Sequence, residues 1–518
     1  MSRLLRSGAV ISAMTMISRV LGLLRDMIVA RYFPVDGATD AFYVAFRIPN
    51  LLRRLFAEGA FSLAFVPVLS EYKTKQDRET LKDLIDHVAG YLALILLVIT
   101  VIGIVAAPIV MWVFAPGFAS KPSARPDLAV DMLRITFPYI LFISLTAFVS
   151  GILNTFHKFA IPALTPALLN VVMIAAAVWG APYFDEPIMA LAWGVFFAGI
   201  AQLVFQLPTL TRLGLLPRFR VRRKHEGVSR IMTLMIPTLF GSSIAQLNLL
   251  INTLLASFLA VGSISWLYYS DRFVELPLAI VGVALGTVIL PKLSSDHAKA
   301  DATQFRHTMD WALRLGLLIS LPATLGLVLL AKPILATVMM HGEFAWQDVQ
   351  MSSLSLMTYA VGLSGFILVK VLAPGFYSRQ DTRTPVKIGM ISIFANMMLN
   401  VVIVLPWYFS GIAGAHAGLA LATALAGYVN AGLLFYHLRK QHIFDPEAGW
   451  RGFLSKIGAA CVAMGAAIWL VSPNDVWWQT ATVWLKVSWL TGLIGLALAS
   501  YFVTLRLLGM PFKQMLGR

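Results

Sequence analysis

Apolar positions along the chain come in runs of about 20 residues, separated by short polar stretches. Such a run, wound as a helix rising about 1.5 Å per residue, crosses a hydrocarbon core of about 30 Å. The runs lack the apolar–polar alternation of a barrel strand. Backbone groups in lipid must also be paired within their own segment, so helices are predicted. They fall at about 8–33, 41–71, 84–114, 128–156, 161–181, 187–211, 229–260, 263–292, 309–331, 350–376, 386–408, 411–437, 452–472 and 482–508. The expected fold class is an all-α polytopic membrane protein with about fourteen transmembrane helices.

Composition agrees with a bilayer and excludes a soluble core. Of 518 residues, 58% are hydrophobic and 13% charged, where soluble domains carry roughly 25% charge; mean hydropathy is +0.78. A net charge of +16 would suggest nucleic acid in a soluble protein. Here most of the basic residues fall in alternate loops (Lys73–Lys82, Lys158, Arg218–Lys224, Lys299–Arg306, Arg379–Lys387, Arg439–Lys440), as the positive-inside bias produces, so no nucleic-acid partner is expected. The loop Ser120–Asp127, with Lys121 and Arg125, breaks that alternation. An even number of spans with basic termini places both ends in the cytoplasm. Arg3 and Arg6 precede the first run as in a signal peptide, but no small-x-small cleavage site follows and Arg19 and Arg25 interrupt the run. It therefore reads as a retained helix. The single cysteine, Cys461, excludes an intramolecular disulfide and sits in an apolar run.

An internal repeat is visible. Phe65-Val66-Pro67-Val68-Leu69-Ser70 is echoed by Val288-Ile289-Leu290-Pro291-Lys292-Leu293-Ser294, and Ala107-Pro108-Ile109 by Lys332-Pro333-Ile334. Leu169-Asn170-Val171-Val172 recurs as Leu399-Asn400-Val401-Val402, each after a Thr-Pro pair. The offset of about 225–230 residues spans six runs, an even number, which keeps the halves parallel as in some secondary transporters. The expected division is a six-helix lobe at 1–220, a second at 221–440, and two additional helices at 441–518.

The informative residues are charges inside the runs. Arg19 and Arg25 fall in the first, Arg53 and Arg54 in the second, and Asp271, Arg272 and Glu275 in the eighth. Each charge at a helix centre costs about 2.5–3.5 kcal/mol, so such residues pair internally or face a wet cavity. Ser18, Gly22 and Arg25 share a helix face by i, i+4, i+7 spacing, and Arg19 and Asp26 share an adjacent one. Asp40, Arg47, Arg54 and Glu58 form a similar row. Internal pairing of Arg25 or Arg19 with Asp26, Arg54 with Glu58 and Arg272 with Glu275 would absorb part of the charge. It leaves a surplus, because six arginines (Arg19, Arg25, Arg31, Arg47, Arg53, Arg54) face Asp26, Asp40 and Glu58. A planar guanidinium fork suits phosphate or pyrophosphate, so a cationic cavity between the halves for a phosphorylated substrate is expected.

No catalytic signature competes. The chain has no P-loop, HExxH or CxxC spacing, so neither an enzyme nor a bound metal is expected. His157, His341 and His416 read as loop or interface histidines, and Trp407, Trp469, Trp477, Trp478 and Trp489 as interfacial anchors near span ends. Gly411, Gly414, Gly418 and Gly427 suggest close helix packing.

Several long motifs stand out: Ser18-Arg19-Val20-Leu21-Gly22 with Arg25-Asp26, Thr39-Asp40-Ala41-Phe42, Ala45-Phe46-Arg47-Ile48-Pro49-Asn50, and Leu55-Phe56-Ala57-Glu58-Gly59-Ala60. Further along come Trp266-Leu267-Tyr268-Tyr269-Ser270-Asp271-Arg272 and Ala373-Pro374-Gly375-Phe376-Tyr377-Ser378-Arg379-Gln380-Asp381-Thr382. Together these motifs resemble those of the MurJ (MviN) lipid II flippases. The resemblance implies a member of the multidrug/oligosaccharidyl-lipid/polysaccharide exporter superfamily in a bacterial inner membrane. It implies transport of undecaprenyl-pyrophosphate-linked disaccharide-pentapeptide (lipid II) to the periplasmic leaflet for peptidoglycan synthesis and cell shape. It also implies that Arg19, Arg25, Arg53 and Arg272 bind substrate, that Ser18, Asp26, Asp40, Glu58, Ser265, Asp271 and Glu275 are gate or cavity residues, and that the last two helices form a groove for the lipid tail. Partners would be lipid II, membrane phospholipids and the cell-wall synthesis machinery. No cofactor is expected, with membrane potential or a coupling cation as energy source. Some relatives bind sodium through an acid on the seventh span, where this chain offers only Asn248 and Asn252, which puts sodium coupling in doubt. The competing readings are another polyprenyl-oligosaccharide flippase, a cation-coupled drug antiporter with an acidic cavity, and a polyprenyl-phosphate enzyme.

Overall fold

The structure, a computed structural model, describes residues 2–54, 61–221, 225–299 and 301–510. Among them the regular structure is helical, with no strand. Ten segments are long and apolar enough to cross a membrane: Arg78–Val105, Pro126–Thr155, Ala160–Tyr183, Met189–Arg212, Ala302–Leu329, Trp346–Tyr377, Arg383–Phe409, Ala415–Lys440, Trp450–Val471 and Val483–Leu507. The other four expected spans run through helices Ser2–Tyr32, Gly37–Arg53 with Ser62–Lys75, Glu226–Phe258 and Ser263–Ala298. The chain folds into two compact units, Met1–Ser265 and Trp266–Arg518.

In the first unit, α1 (Ser2–Tyr32) lies against α8 (Ala160–Ala175). Helix α2 (Gly37–Arg53) starts where the Asp36 carboxylate accepts the Ala38 and Thr39 N–H groups at 2.9 and 3.0 Å, and it packs on α6 (Pro126–Thr136). Helices α3 (Ser62–Lys75), α4 (Arg78–Val105) and α7 (Tyr139–Thr155) bury Phe65, Leu69, Leu84, Phe148 and Ile152 in one apolar cluster. Two of the expected runs are broken. The run at 84–114 turns at Ala106 into the short α5 (Ala107–Phe114), with Pro108 at the start of the new helix. The run at 128–156 breaks at Phe137-Pro138 between α6 and α7, since proline cannot donate to the helix ladder. Helices α9 (Met189–Arg212) and α10 (Glu226–Phe258) complete the unit, α9 against α7 and α8, and α10 against α3.

The anomalous basic loop at Ser120–Asp127 has a structural use. Lys121 donates to the Phe258 carbonyl at 2.5 Å and to that of Leu259, placing a cation on the otherwise unpaired carbonyls ending α10. Arg125 pairs with Glu186 at 2.5 Å.

In the second unit, which holds all but the first turn of α11 (Ser263–Ala298), α12 (Ala302–Leu329) and α16 (Ala415–Lys440) pack on α14 (Trp346–Tyr377), and α15 (Arg383–Phe409) packs on α16. A side chain at Gly362 would sit 2.6 Å from the Ala424 Cα, so this glycine lets two backbones touch. Gly414, Gly418 and Gly427 meet side chains of neighbouring helices as expected, whereas Gly411 does not: its φ of +68° marks it as a turn residue before α16. Helix α13 (Ala331–Val338) lies against α14 and α19 (Val483–Leu507), and α17 (Trp450–Val471) joins α12 and α19. Between α17 and α19, the short α18 (Asp475–Thr480) is tied back by Lys332–Asp475 at 2.5 Å. Trp469 is 76% exposed, as an anchor would be, but Trp478 is 1% exposed and belongs to the core.

Candidate functional site

The face predicted on α1 meets Asn170 of α8, with Arg25 Nη1 also 4.0 Å from the Met173 sulfur. Asn170 donates from its amide nitrogen to the Ser18 carbonyl at 3.0 Å, and its amide oxygen accepts from Arg25 Nη1 at 3.0 Å. Gly22, between them on the same face, leaves ordinary contact distance to the Asn170 amide. Arg25 also donates from Nε and Nη2 to Asp26 Oδ1, at 2.9 and 2.6 Å, with its side chain 4% and that of Asp26 3% exposed. The guanidinium is thus fixed by a carboxylate on one side and a neutral amide on the other. Of the two expected pairings for Asp26, the chain uses Arg25; Arg19 is exposed on α1.

Asp40 is buried in the first turn of α2 and does not pair with Arg47. Its Oδ2 accepts the Gly262 N–H at 2.7 Å, and Oδ1 accepts the Ser265 N–H at 2.9 Å and the Ser265 hydroxyl at 2.6 Å. These donors are at the start of α11, where N–H groups lack helical partners and the helix dipole favours a negative charge. The acid therefore joins α2 to the start of α11. Arg47 instead donates to Thr253 Oγ1 on α10 at 2.9 Å. Arg53 donates from Nε to Asn50 Oδ1 at 2.9 Å, turning back along its own helix, and Arg54 is exposed. Glu58, and with it the expected Arg54–Glu58 pair, lies outside the described residues, as does Gly59.

In the second unit, Arg272 Nη1 pairs with Glu275 Oε2 at 3.1 Å, the predicted i, i+3 contact. Its Nη2 donates to the Tyr268 hydroxyl at 3.0 Å, with the guanidinium 5.2 Å from the Tyr268 ring centre. These side chains are 33% and 41% exposed, and Asp271 is exposed on the same helix. The structure thus joins Ser18 and Arg25 through Asn170, Arg25 with Asp26, Asp40 with Ser265, and Arg272 with Glu275. Asn170, being neutral, is the participant that a pattern of charges inside apolar runs does not mark. Its signal was the Leu-Asn-Val-Val motif of the repeat, read as a symmetry mark and not as chemistry.

Chemically, these groups offer fixed guanidinium donors at Arg25 and Arg272, and a carboxylate at Asp40 held by backbone and hydroxyl donors. The histidines singled out in sequence fit their structural reading: His416 Nε2 lies 3.0 Å from the Met351 carbonyl against the Trp266 ring, and His341 Nε2 lies 3.1 Å from the Thr337 carbonyl.

The family model described as "Lipid II flippase MurJ" matches residues 29–502. A probable lipid II flippase MurJ of Vibrio cholerae is 44% identical, covering 99% of this chain and 98% of the relative. The lipid II flippase MurJ of Burkholderia cenocepacia is 43% identical over 98% of both chains. Among solved structures, a lipid II flippase MurJ in an inward closed conformation superposes with a TM-score of 0.81 at 27% identity, over 98% of this chain and 99% of that one. A multidrug resistance MATE transporter in an inward-facing conformation shares the fold alone, with a TM-score of 0.67 at 14% identity. With nearly the full length matched at this identity, the chain belongs to the MurJ lipid II flippase family.

Proposed function

We propose that this chain is a lipid II flippase of the bacterial inner membrane. It moves undecaprenyl-pyrophosphate-linked disaccharide-pentapeptide to the periplasmic leaflet by alternating access around an arginine-rich site. Family membership supports the flippase reading and its place in peptidoglycan synthesis. The observation that carries the site is the arginines left outside the protein interior. Arg19 and Arg54 are exposed and Arg272 is one-third exposed, all on helices that the hydropathy pattern places across the membrane. Against lipid each would cost about 2.5–3.5 kcal/mol, so we read them as facing water and an anion. Arg25 is buried with Nε and Nη2 on Asp26 and Nη1 on Asn170, so in this reading pyrophosphate takes the place of Asp26 on its fork, whose planar geometry suits it better than a small point anion.

In this mechanism Arg19, Arg25, Arg53 and Arg272 receive the pyrophosphate. Asp26, Asp271 and Glu275 balance charge when the site is empty, while Ser18 and Glu58 line the same path. Asp40 and Ser265 act as the gate, because one hydrogen-bonded joint fixes the start of α11 to α2. Two repeat lobes, 1–220 and 221–440, would rock around the site while helices α17 and α19 of the 441–518 segment guide the tail. Both termini are assigned to the cytoplasm, and membrane potential supplies about 2.3 kcal/mol per charge per 100 mV. Phospholipids and cell-wall synthesis proteins are proposed neighbours.

Reconstitution in vesicles containing labelled lipid II tests this reading. Protein-dependent exchange of the label between leaflets is expected, and excess undecaprenyl pyrophosphate should slow it. Vesicles that move a cationic drug but leave lipid II in place would instead favour an antiporter.

A further inference from the structure

One cluster of ligating side chains lies away from the arginine site, where α4 begins and α10 starts. Asp83 and His87 are four residues apart on α4 and project from the same face. His225 is the residue before α10, and its Nδ1 receives the Val228 N–H at 3.4 Å, which turns Nε2 outward. That Nε2 lies 3.3 Å from Asp83 Oδ2, and His87 Nδ1 lies 3.3 Å from Asp83 Oδ1 and 2.8 Å from the Asp83 carbonyl. The two rings are 4.7 Å apart, and the three residues can bring one ligand atom each within 4.8 Å of one another.

The scaffold around this cluster is built. The Arg218 N–H donates to the Asp86 carboxylate at 2.8 Å, and the Arg220 N–H to the Asp86 carbonyl at 3.3 Å. A side chain at Gly90 would fall 2.1 Å from the Arg220 carbonyl oxygen, so this glycine opens the seat in which the incoming chain rests. Lys82 is engaged with Asp86. His87 and His225 are 7% and 14% exposed, whereas Asp83 is 44% exposed, so the cluster has two shielded imidazoles and one open side.

We propose that Asp83, His87 and His225 form a transition-metal site of the Zn²⁺ class that clips the start of α10 to α4. Two imidazoles and a carboxylate are a donor set that zinc accepts, with water in the fourth position. Zinc–ligand bonds of about 2.0–2.1 Å place tetrahedral ligands roughly 3.3 Å apart, the separation each histidine already has from Asp83. Binding through His87 Nδ1 and His225 Nε2 uses the lone pair of each, so His87 gives up its bond to the Asp83 carbonyl and His225 Nδ1, then carrying the ring proton, gives up the 3.4 Å contact from the Val228 N–H. Arg220 is the competitor: its Nη1 lies 3.8 Å from Asp83 Oδ1, and its half-exposed side chain must swing away when an ion enters. The neighbouring cations Arg220 and Lys82 weaken the site, so binding is reversible and exchangeable, suited to adjusting how the start of α10 sits on α4 more than to holding the fold.

The test uses the full-length protein in detergent, stripped with a chelator and titrated with Co²⁺ and then Zn²⁺. One Co²⁺ per chain should bind, with the visible absorbance of a tetrahedral complex, and Zn²⁺ should displace it. His87→Ala and His225→Ala should each weaken binding at least the roughly tenfold that losing even an outer-shell partner costs. Asp83→Asn, at an exposed position, should do the same if either histidine variant fails to fold. His157→Ala should change nothing. No binding by the wild-type chain, or stoichiometric binding that survives the His87→Ala/His225→Ala double substitution, would overturn the proposal.

Discussion

Asn170 and Asn400 stand at matching places in the repeated Leu-Asn-Val-Val motif, yet their amides face different company. Asn170 holds the Arg25 guanidinium and the Ser18 carbonyl. Asn400 donates to Asn396 at 3.1 Å, and Asn396 donates to Thr423 at 3.4 Å. The same motif thus serves as an ion holder in the first unit and as a polar lock between helices in the second. An internal repeat preserves the frame of a bundle more faithfully than the use made of each polar position. Among the described residues of the two motif copies, the buried guanidinium belongs to the first.

The largest effect that can break this contrast is at Arg25. Arg25→Ala leaves Asp26 buried without its ion-pair partner, which should cost about 3–5 kcal/mol and abolish transport; thermal unfolding in detergent alongside a flipping assay reads both. Arg25→Lys keeps the charge but loses the fork, so transport should fall sharply at nearly normal membrane levels. Full activity of the lysine variant would argue against bidentate pyrophosphate binding. Next comes the Asn pair. Asn170→Ala should cost about 1–3 kcal/mol, because a charged donor loses its acceptor, and should impair transport. Asn400→Ala should cost about 1 kcal/mol with transport intact. Equal transport losses at the two sites would erase the asymmetry. Asp40→Asn weakens the joint to α11 and should lower stability by about 0.5–2 kcal/mol, and it should slow flipping more than it weakens substrate binding. The smallest structural effect is at Glu275: Glu275→Gln removes a half-exposed pair that contributes about 0–1 kcal/mol, so any strong transport defect there is functional.

Helix positions were legible from hydropathy because bilayer thickness sets a length that few other constraints imitate. The pairs Arg25–Asp26 and Arg272–Glu275 were equally legible, since their partners lie within one turn on the same helix. Helix breaks at Ala106 and Phe137-Pro138 were hidden inside apolar runs, where hydropathy stays high while the ladder is interrupted. Asp40 was visible as an acid in one row with Arg47, Arg54 and Glu58. Its partners Gly262 and Ser265 were not, because a helix start more than 200 residues away leaves no mark on local spacing. Lys121 stood out as an exception to the alternation of basic loops, and it serves as a C-terminal cap for α10.

The most direct test of the central claim follows lipid II in cells depleted of their own flippase and supplied with this chain, using an externally added colicin that cleaves periplasmic lipid II. The wild-type chain should restore cleavage. Arg272→Ala should not, although its membrane level and thermal stability stay close to wild type because the lost ion pair is half exposed. Full cleavage with Arg272→Ala, or none with the wild-type chain at normal membrane levels, would contradict the account.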